Sequence, residues 1–194
     1  INMLNPSEVG KAGEHARLRT LESIWIQGKL NMWGRWSYIG EGKAGNMFNQ
    51  LLTSHHVTKT AVKEALRRMK KSGISKPELE AFFIEILNGK NKSGLVFCSD
   101  GEALKIDGVV GCVLVAAGYD GLFDIITQHY RYHKSKRRLA DELQEKHPEW
   151  SNATCRRRID VWLSLAESML YAPMCDAFGT NSERFYLQSE PVSV

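Results

Sequence analysis

Pro148 divides the run from His129 to Tyr171 (HYRYHKSKRRLADELQEKHPEWSNATCRRRIDVWLSLAESMLY) into two helical segments. A proline ring supplies no N–H and steers the residue before it out of α geometry, so a helix capped by Ser135 must stop near His147. Pro148, Glu149 and Trp150 then form a turn, and Ser151 or Asn152 caps a long helix reaching about Tyr171. Leu139, Ala140 and Leu143 mark the buried side of the first helix. Cys155, Ile159, Trp162, Ala166 and Met169 do so on the second. An earlier helix, Asp120 to Tyr132, turns Leu122, Ile125, Ile126 and Tyr130 inward. The pattern predicts a helix-turn-helix unit supported by a third helix.

Charge gives this unit a chemistry. The chain of 194 residues carries a formal charge of only +4, but its cations are clustered. With the Cys155–Ile159–Trp162 stripe inward, Asn152, Arg156, Arg157 and Asp160 fall on the outer side of the first two turns. In helix-turn-helix proteins those turns reach the base edges of the major groove. Arginine holds guanine O6 and N7 with two bonds, and asparagine does the same for adenine. Lys134, Lys136, Arg137 and Arg138 open the preceding helix, where phosphate contacts belong. Arg158 is read as pairing locally.

The N-terminal part also reads as helical. Residues 1–13 form a loose arm, and from about Glu14 Leu18, Leu21, Trp25 and Met32 recur on one face. Trp33, Trp36 and Tyr38 follow as an aromatic core. Gly40, Gly42 and Gly45 have G-x-G-x-x-G spacing, with WSYI as the stub of strand that a dinucleotide site needs before it. The only acid at the required distance is Glu64, inside a basic helix, so the glycines read as a flexible connection. NMFNQLL is a short helix. Thr58 or Thr60 caps the next, in which Val62, Ala65, Leu66 and Met69 face inward and Gly73 closes the end. Lys59, Lys63, Arg67, Arg68, Lys70 and Lys71 face outward, a second surface for nucleic acid or a protein partner. Residues 76–87 make a further amphipathic helix with Pro77 in its first turn. LVFCS is a short strand or an extended entry, and the apolar stretch after it is a buried helix. Asp100 and Glu102 suit the start of that helix better than an acid/base set with Asp107.

Several function classes fall away. Cys98, Cys112, Cys155 and Cys175 are far apart and the six histidines lack ligand spacing, so neither a metal site nor a cofactor is expected. The thiols read as reduced and mostly buried. No apolar run is long enough to cross a bilayer and no signal peptide is read, which implies a cytoplasmic protein without a membrane partner. No Walker, serine-elbow or kinase signature is present, so no catalytic residues are assigned.

The same residues carry a family resemblance. CSDGEALKIDGVV, an aromatic-rich helix, SKRRLADEL and an arginine-rich last helix are similar to the zinc-free group of phage antitermination protein Q. WGRWSYIG resembles that family's tryptophan-rich opening. LRTLESIWIQGKLNMWGRWSYIG and HPEWSNATCRRRIDVWL also resemble an uncharacterised family of lambdoid phages and prophages, over roughly residues 10–178. The resemblance implies a late-gene regulator that binds duplex DNA at a late promoter and engages paused RNA polymerase through its flap and sigma factor. It then carries the enzyme through terminators in the host cytoplasm, with NusA and the nascent RNA as further partners. It assigns base reading to Asn152, Arg156 and Arg157, and the DNA backbone to Lys136, Arg137 and Arg138. The zinc-binding cysteine pairs of the best-known Q group are missing, and the basic helix at 58–73 matches no family motif.

The expected fold is therefore mainly α, with a C-terminal helix-turn-helix resembling sigma region four. The arm at 1–13 leads into a helical domain at 14–115, the helix-turn-helix domain at 116–178 and a disordered tail at 179–194. Two other functions fit the same sequence: a promoter-bound repressor or activator, and a nucleotide-binding enzyme using the loop at 40–45.

Overall fold

A computed structural model describes residues 18–42, 44–45, 50–51, 58–71, 77–88 and 98–180. Every regular element among them is helical. These are α1 (Thr20–Gly40), α2 (Lys59–Lys71), α3 (Pro77–Leu87), α4 (Asp100–Val110), α5 (Asp120–Ile126), α6 (Lys136–Lys146) and α7 (Asn152–Ala177). Helices α4 and α5 each run on into one π-helical turn, Gly111–Val115 and Thr127–Arg131. The mainly α class follows the periodicities in the sequence. None of the helices is long and apolar enough to cross a membrane.

Packing divides the chain into two compact units, Met32–Leu104 and Ile1–Asn31 with Lys105–Val194. The first part of α1 belongs with the C-terminal helices, and the physical reason is contact chemistry. Trp25 meets Tyr171 and Phe178 edge-on, Lys29 Nζ sits 3.9 Å from the Phe178 ring centre, and Gln27 donates to Glu167. The stripe expected on α1 is rotated. Leu21 and Ile24 are 53% and 61% exposed, whereas Ile26, Leu30, Trp33 and Trp36 are buried.

In the 32–104 unit, Ile39, Val62, Ala65, Met69 and Phe83 make one small core, with Leu66 packed against it. Thr58 caps α2 by accepting from the Ala61 N–H, and Pro77 opens α3. Ser99 and Glu102 form a reciprocal capping box at α4, each side chain accepting from the other's backbone N–H. Asp100 ties this end together: one carboxylate oxygen accepts from Trp36 Nε1 and the other from the Gly45 N–H, both at 2.7 Å. Residues 36–39 are the last turn of α1, so no strand precedes the glycines and the dinucleotide fingerprint lacks its frame. The arm at 1–13, most of NMFNQLL, Gly73, residues 91–97 and the tail beyond Thr180 lie outside the described residues.

Helix α4, whose residues fall in both units, is amphipathic rather than buried all round. Ala103, Ile106, Val110 and Leu114 are buried, while Val115 and Cys112 are exposed. The other three cysteines are buried, and among the described residues no group of side chains is arranged to hold a metal ion. Gly118, at φ 80°, closes the helix with Gly118 N–H to Val115 O and Tyr119 N–H to Leu114 O bonds, a left-handed cap that glycine adopts without strain. Helix α7 continues past Tyr171 and through Pro173 because Met174 and Cys175 are fully buried beyond it. Its inward stripe passes through Leu170 rather than Met169, which is only half-buried.

Candidate nucleic-acid interface

Two helices pack on α7. Both α5 and α6 pack against it, closing the stripe of Cys155, Ile159, Trp162, Leu163 and Ala166 with Leu122, Ile126, Leu139, Ala140 and Leu143. Ser135 caps α6 by accepting from the Arg138 N–H, and Ser151 caps α7 by accepting from the Thr154 N–H. Of the two cap candidates for α7, the serine fills the role and Asn152 becomes the first helical residue.

The turn between the two helices is fixed by side chains. The imidazole of His147 stacks on the Trp150 indole at 4.0 Å, with ring planes 9° apart. The Arg158 guanidinium stands 3.6 Å from the same ring centre. Two flat groups that close to one ring cannot share a face, so Trp150 is sandwiched between them. Arg158 therefore stacks on the indole, its charge also acts locally on the Glu149 carboxylate, and its Nε is buried without a hydrogen-bond partner among the described residues. A hydrogen bond from its own backbone N–H, and then His147 at 3.1 Å, hold the Glu149 carboxyl below its ordinary range.

Asn152 closes the junction. Its amide nitrogen donates to Asp141 at 3.0 Å and to Gln144 at 2.8 Å, both on α6. A two-bond contact to adenine needs that same N–H, so in this conformation Asn152 is a brace between helices and its N–H is already taken. Arg156 and Arg157 are different. Both are exposed on the first two turns, and among the described residues neither has a hydrogen-bond or ion-pair partner. Ala153 and Thr154 are exposed beside them. They carry no charge to mark them in the sequence, although the spacing that turns Cys155 inward turns them out.

The backbone-contact candidates are mixed. Arg137 is exposed and without a partner among the described residues. Lys136 pairs with Asp160 at 2.8 Å, and Lys134 and Arg138 share Glu142 at 2.7 and 3.1 Å. The Lys134 ammonium, then Arg138, holds the Glu142 carboxyl below its ordinary value. Exposed pairs of this kind are worth about 0–1 kcal/mol, so they hold Lys136 and Arg138 only weakly. Lys134 is the least exposed of the set.

In the other unit, Lys59, Lys63, Arg67, Arg68 and Lys70 are all exposed on α2. The side chain of Lys71 lies outside the described residues.

Comparison with solved structures identifies this arrangement of helices. The transcription antitermination factor Q21 in complex with Q21-binding-element DNA has a similar fold: TM-score 0.53, 18% identity, 84% of this chain and 95% of that one. The same factor solved alone gives a TM-score of 0.52 at 20% identity, with the same coverage. The crystal structure of the bacteriophage 21 Q protein gives 0.51 at 20% identity, again over 84% and 95%. No curated protein sequence matches the chain. A family model matches residues 3–179, and by that match the chain belongs to the family described as Protein of unknown function (DUF1133).

Proposed function

We infer that this protein is a phage transcription antitermination factor of the Q type, a DNA-binding protein without catalytic activity. The observation that carries the reading is the pair of exposed guanidiniums of Arg156 and Arg157, without a partner among the described residues, at the start of a helix braced by α5 and α6. The turn, the caps and the free charge are what a major-groove recognition helix requires. A fold shared with a factor solved on its own binding-element DNA supports the same conclusion.

On this reading Arg156 and Arg157 read base edges. The small side chains of Ala153 and Thr154 bring α7 close to the base pairs, where a methyl group suits a thymine methyl. Arg137, Lys136 and Arg138 hold phosphates and Lys134 contributes at the edge, while Asn152 keeps α7 in place on α6. The domain that does this work is the helix-turn-helix of 116–178. Paused RNA polymerase, with its flap and sigma factor, is the partner implied by antitermination, together with NusA and the transcript.

The test is transcription through a terminator on a template with or without a promoter-proximal binding site. Read-through that needs both the protein and the site is the expected result. An effect confined to initiation would make the protein a promoter-bound repressor or activator instead.

A further inference from the structure

The cations of α2 form a line. Lys59, Lys63, Arg67 and Lys70 are all exposed and recur at intervals of four, four and three residues. At 3.6 residues per turn they stay within an arc of about 80° over a length of about 16 Å. The opposite side is occupied, because Val62, Ala65 and Met69 are buried in one core with Ile39 and Phe83. The helix therefore cannot roll its charge away from solvent. Its one acid is already neutralised: Glu64 accepts from Arg67 at 2.9 and 3.0 Å and from Arg68 at 2.8 Å. Among the described residues Lys59, Lys63 and Lys70 have no ion-pair or hydrogen-bond partner.

We propose that this line binds a nucleic-acid phosphate backbone without regard to sequence, as a second contact separate from α7. Ammonium groups are compact charges that need no planar match to a phosphate. Four residues of helix rise about 6 Å, a step comparable to that between neighbouring phosphates on a strand. The line holds no asparagine, glutamine or aromatic ring, and its one arginine, Arg67, already spends Nε and a terminal nitrogen on Glu64, so the contacts left to it are the point charges of three lysines. An acidic protein surface would want mixed polar and apolar contacts around the charge, and this face offers lysines and arginines alone. The proposal does not depend on base reading by α7.

The experiment uses the full chain, with a mixed-sequence DNA duplex and a mixed-sequence single-stranded RNA as separate probes across a salt series. Replacing three lysines together (Lys59→Gln, Lys63→Gln, Lys70→Gln) should flatten the plot of log affinity against log salt. Three lost phosphate contacts correspond to a slope change of about 2 on the single strand or about 3 on the duplex. The probe whose slope falls identifies the backbone that is bound. The three Lys→Arg replacements should keep the slope. Glu64→Gln should tighten binding, a gain that damage to the fold cannot produce. An unchanged slope on both nucleic acids, no gain from Glu64→Gln, or an equal loss against polyglutamate would each overturn the assignment.

Discussion

Trp150 removes Arg158 from the arginines available to a ligand by stacking on its guanidinium at 3.6 Å. Three adjacent arginines in the sequence thus have two fates: Arg158 builds the turn, and Arg156 and Arg157 stay in solvent. A cation over an indole is worth about 0.5–2 kcal/mol, depending on how far it is desolvated. Trp150→Ala should therefore lower stability by about 1–2 kcal/mol in urea unfolding and weaken cognate and scrambled DNA alike. Trp150→Phe should restore most of both. Wild-type stability in the alanine variant would show that the sandwich does not hold the turn.

Arg157→Ala should cost about 1–3 kcal/mol on cognate DNA and much less on a scrambled duplex, as expected for a base-reading side chain. Arg137→Ala should instead weaken all sequences equally and lower the salt slope by about 1. Polarisation titrations of both variants on both duplexes decide between these roles. Two indistinguishable profiles would contradict the division.

Asn152→Ala removes the brace to Asp141 and Gln144. Losing hydrogen bonds to a charged and a neutral acceptor should cost about 1–3 kcal/mol of folding stability. The preference for cognate over scrambled DNA should stay as in the wild type. A selective loss on cognate DNA alone would return Asn152 to base reading.

Glu142→Gln should free Lys134 and Arg138 from the carboxylate they share. Binding to any duplex should tighten, with a salt slope steeper by about 1–2. Because the Glu142 carboxyl titrates below its ordinary value of 4.5 in the folded chain, its stabilising contribution is present at neutral pH. That contribution fades as acid takes the pH below 4.5 and through the lowered value. The variant should lack that part of the acid dependence in urea titrations from pH 7 down to acid.

Tyr130 donates to the buried Glu167 at 2.6 Å, and Gln27 donates to the same carboxylate. Burial first, then the Glu167 charge, pushes the Tyr130 hydroxyl above its ordinary value of 10. The folded chain keeps a proton that the unfolded chain releases, so this contribution is full below pH 10 and declines above it. Tyr130→Phe should cost about 1–3 kcal/mol, because a buried carboxylate loses a donor. The loss should be largest below pH 10. Equal stability of wild type and variant at pH 8 would refute this role.

The sequence by itself determined the helical class, the stop at His147, the serine cap of α6 and the faces of α2, α5 and α6. Each of these depends on neighbours within one or two turns, where proline chemistry, capping and helical period act directly. Tertiary structure decided the rest. The stripe of Leu18, Leu21, Trp25 and Met32 was misplaced on α1 because this helix carries apolar residues on more than one face: Leu21 is exposed, Ile26, Leu30, Trp33 and Trp36 are buried, and helical spacing alone cannot choose between the faces. The different fates of Asn152, Arg156, Arg157 and Arg158 were equally hidden. Four adjacent polar residues look alike until Asp141 and Gln144 on one side and Trp150 on the other come within reach. Contact across a turn is set by the angle at which two helices meet, and no local pattern encodes that angle.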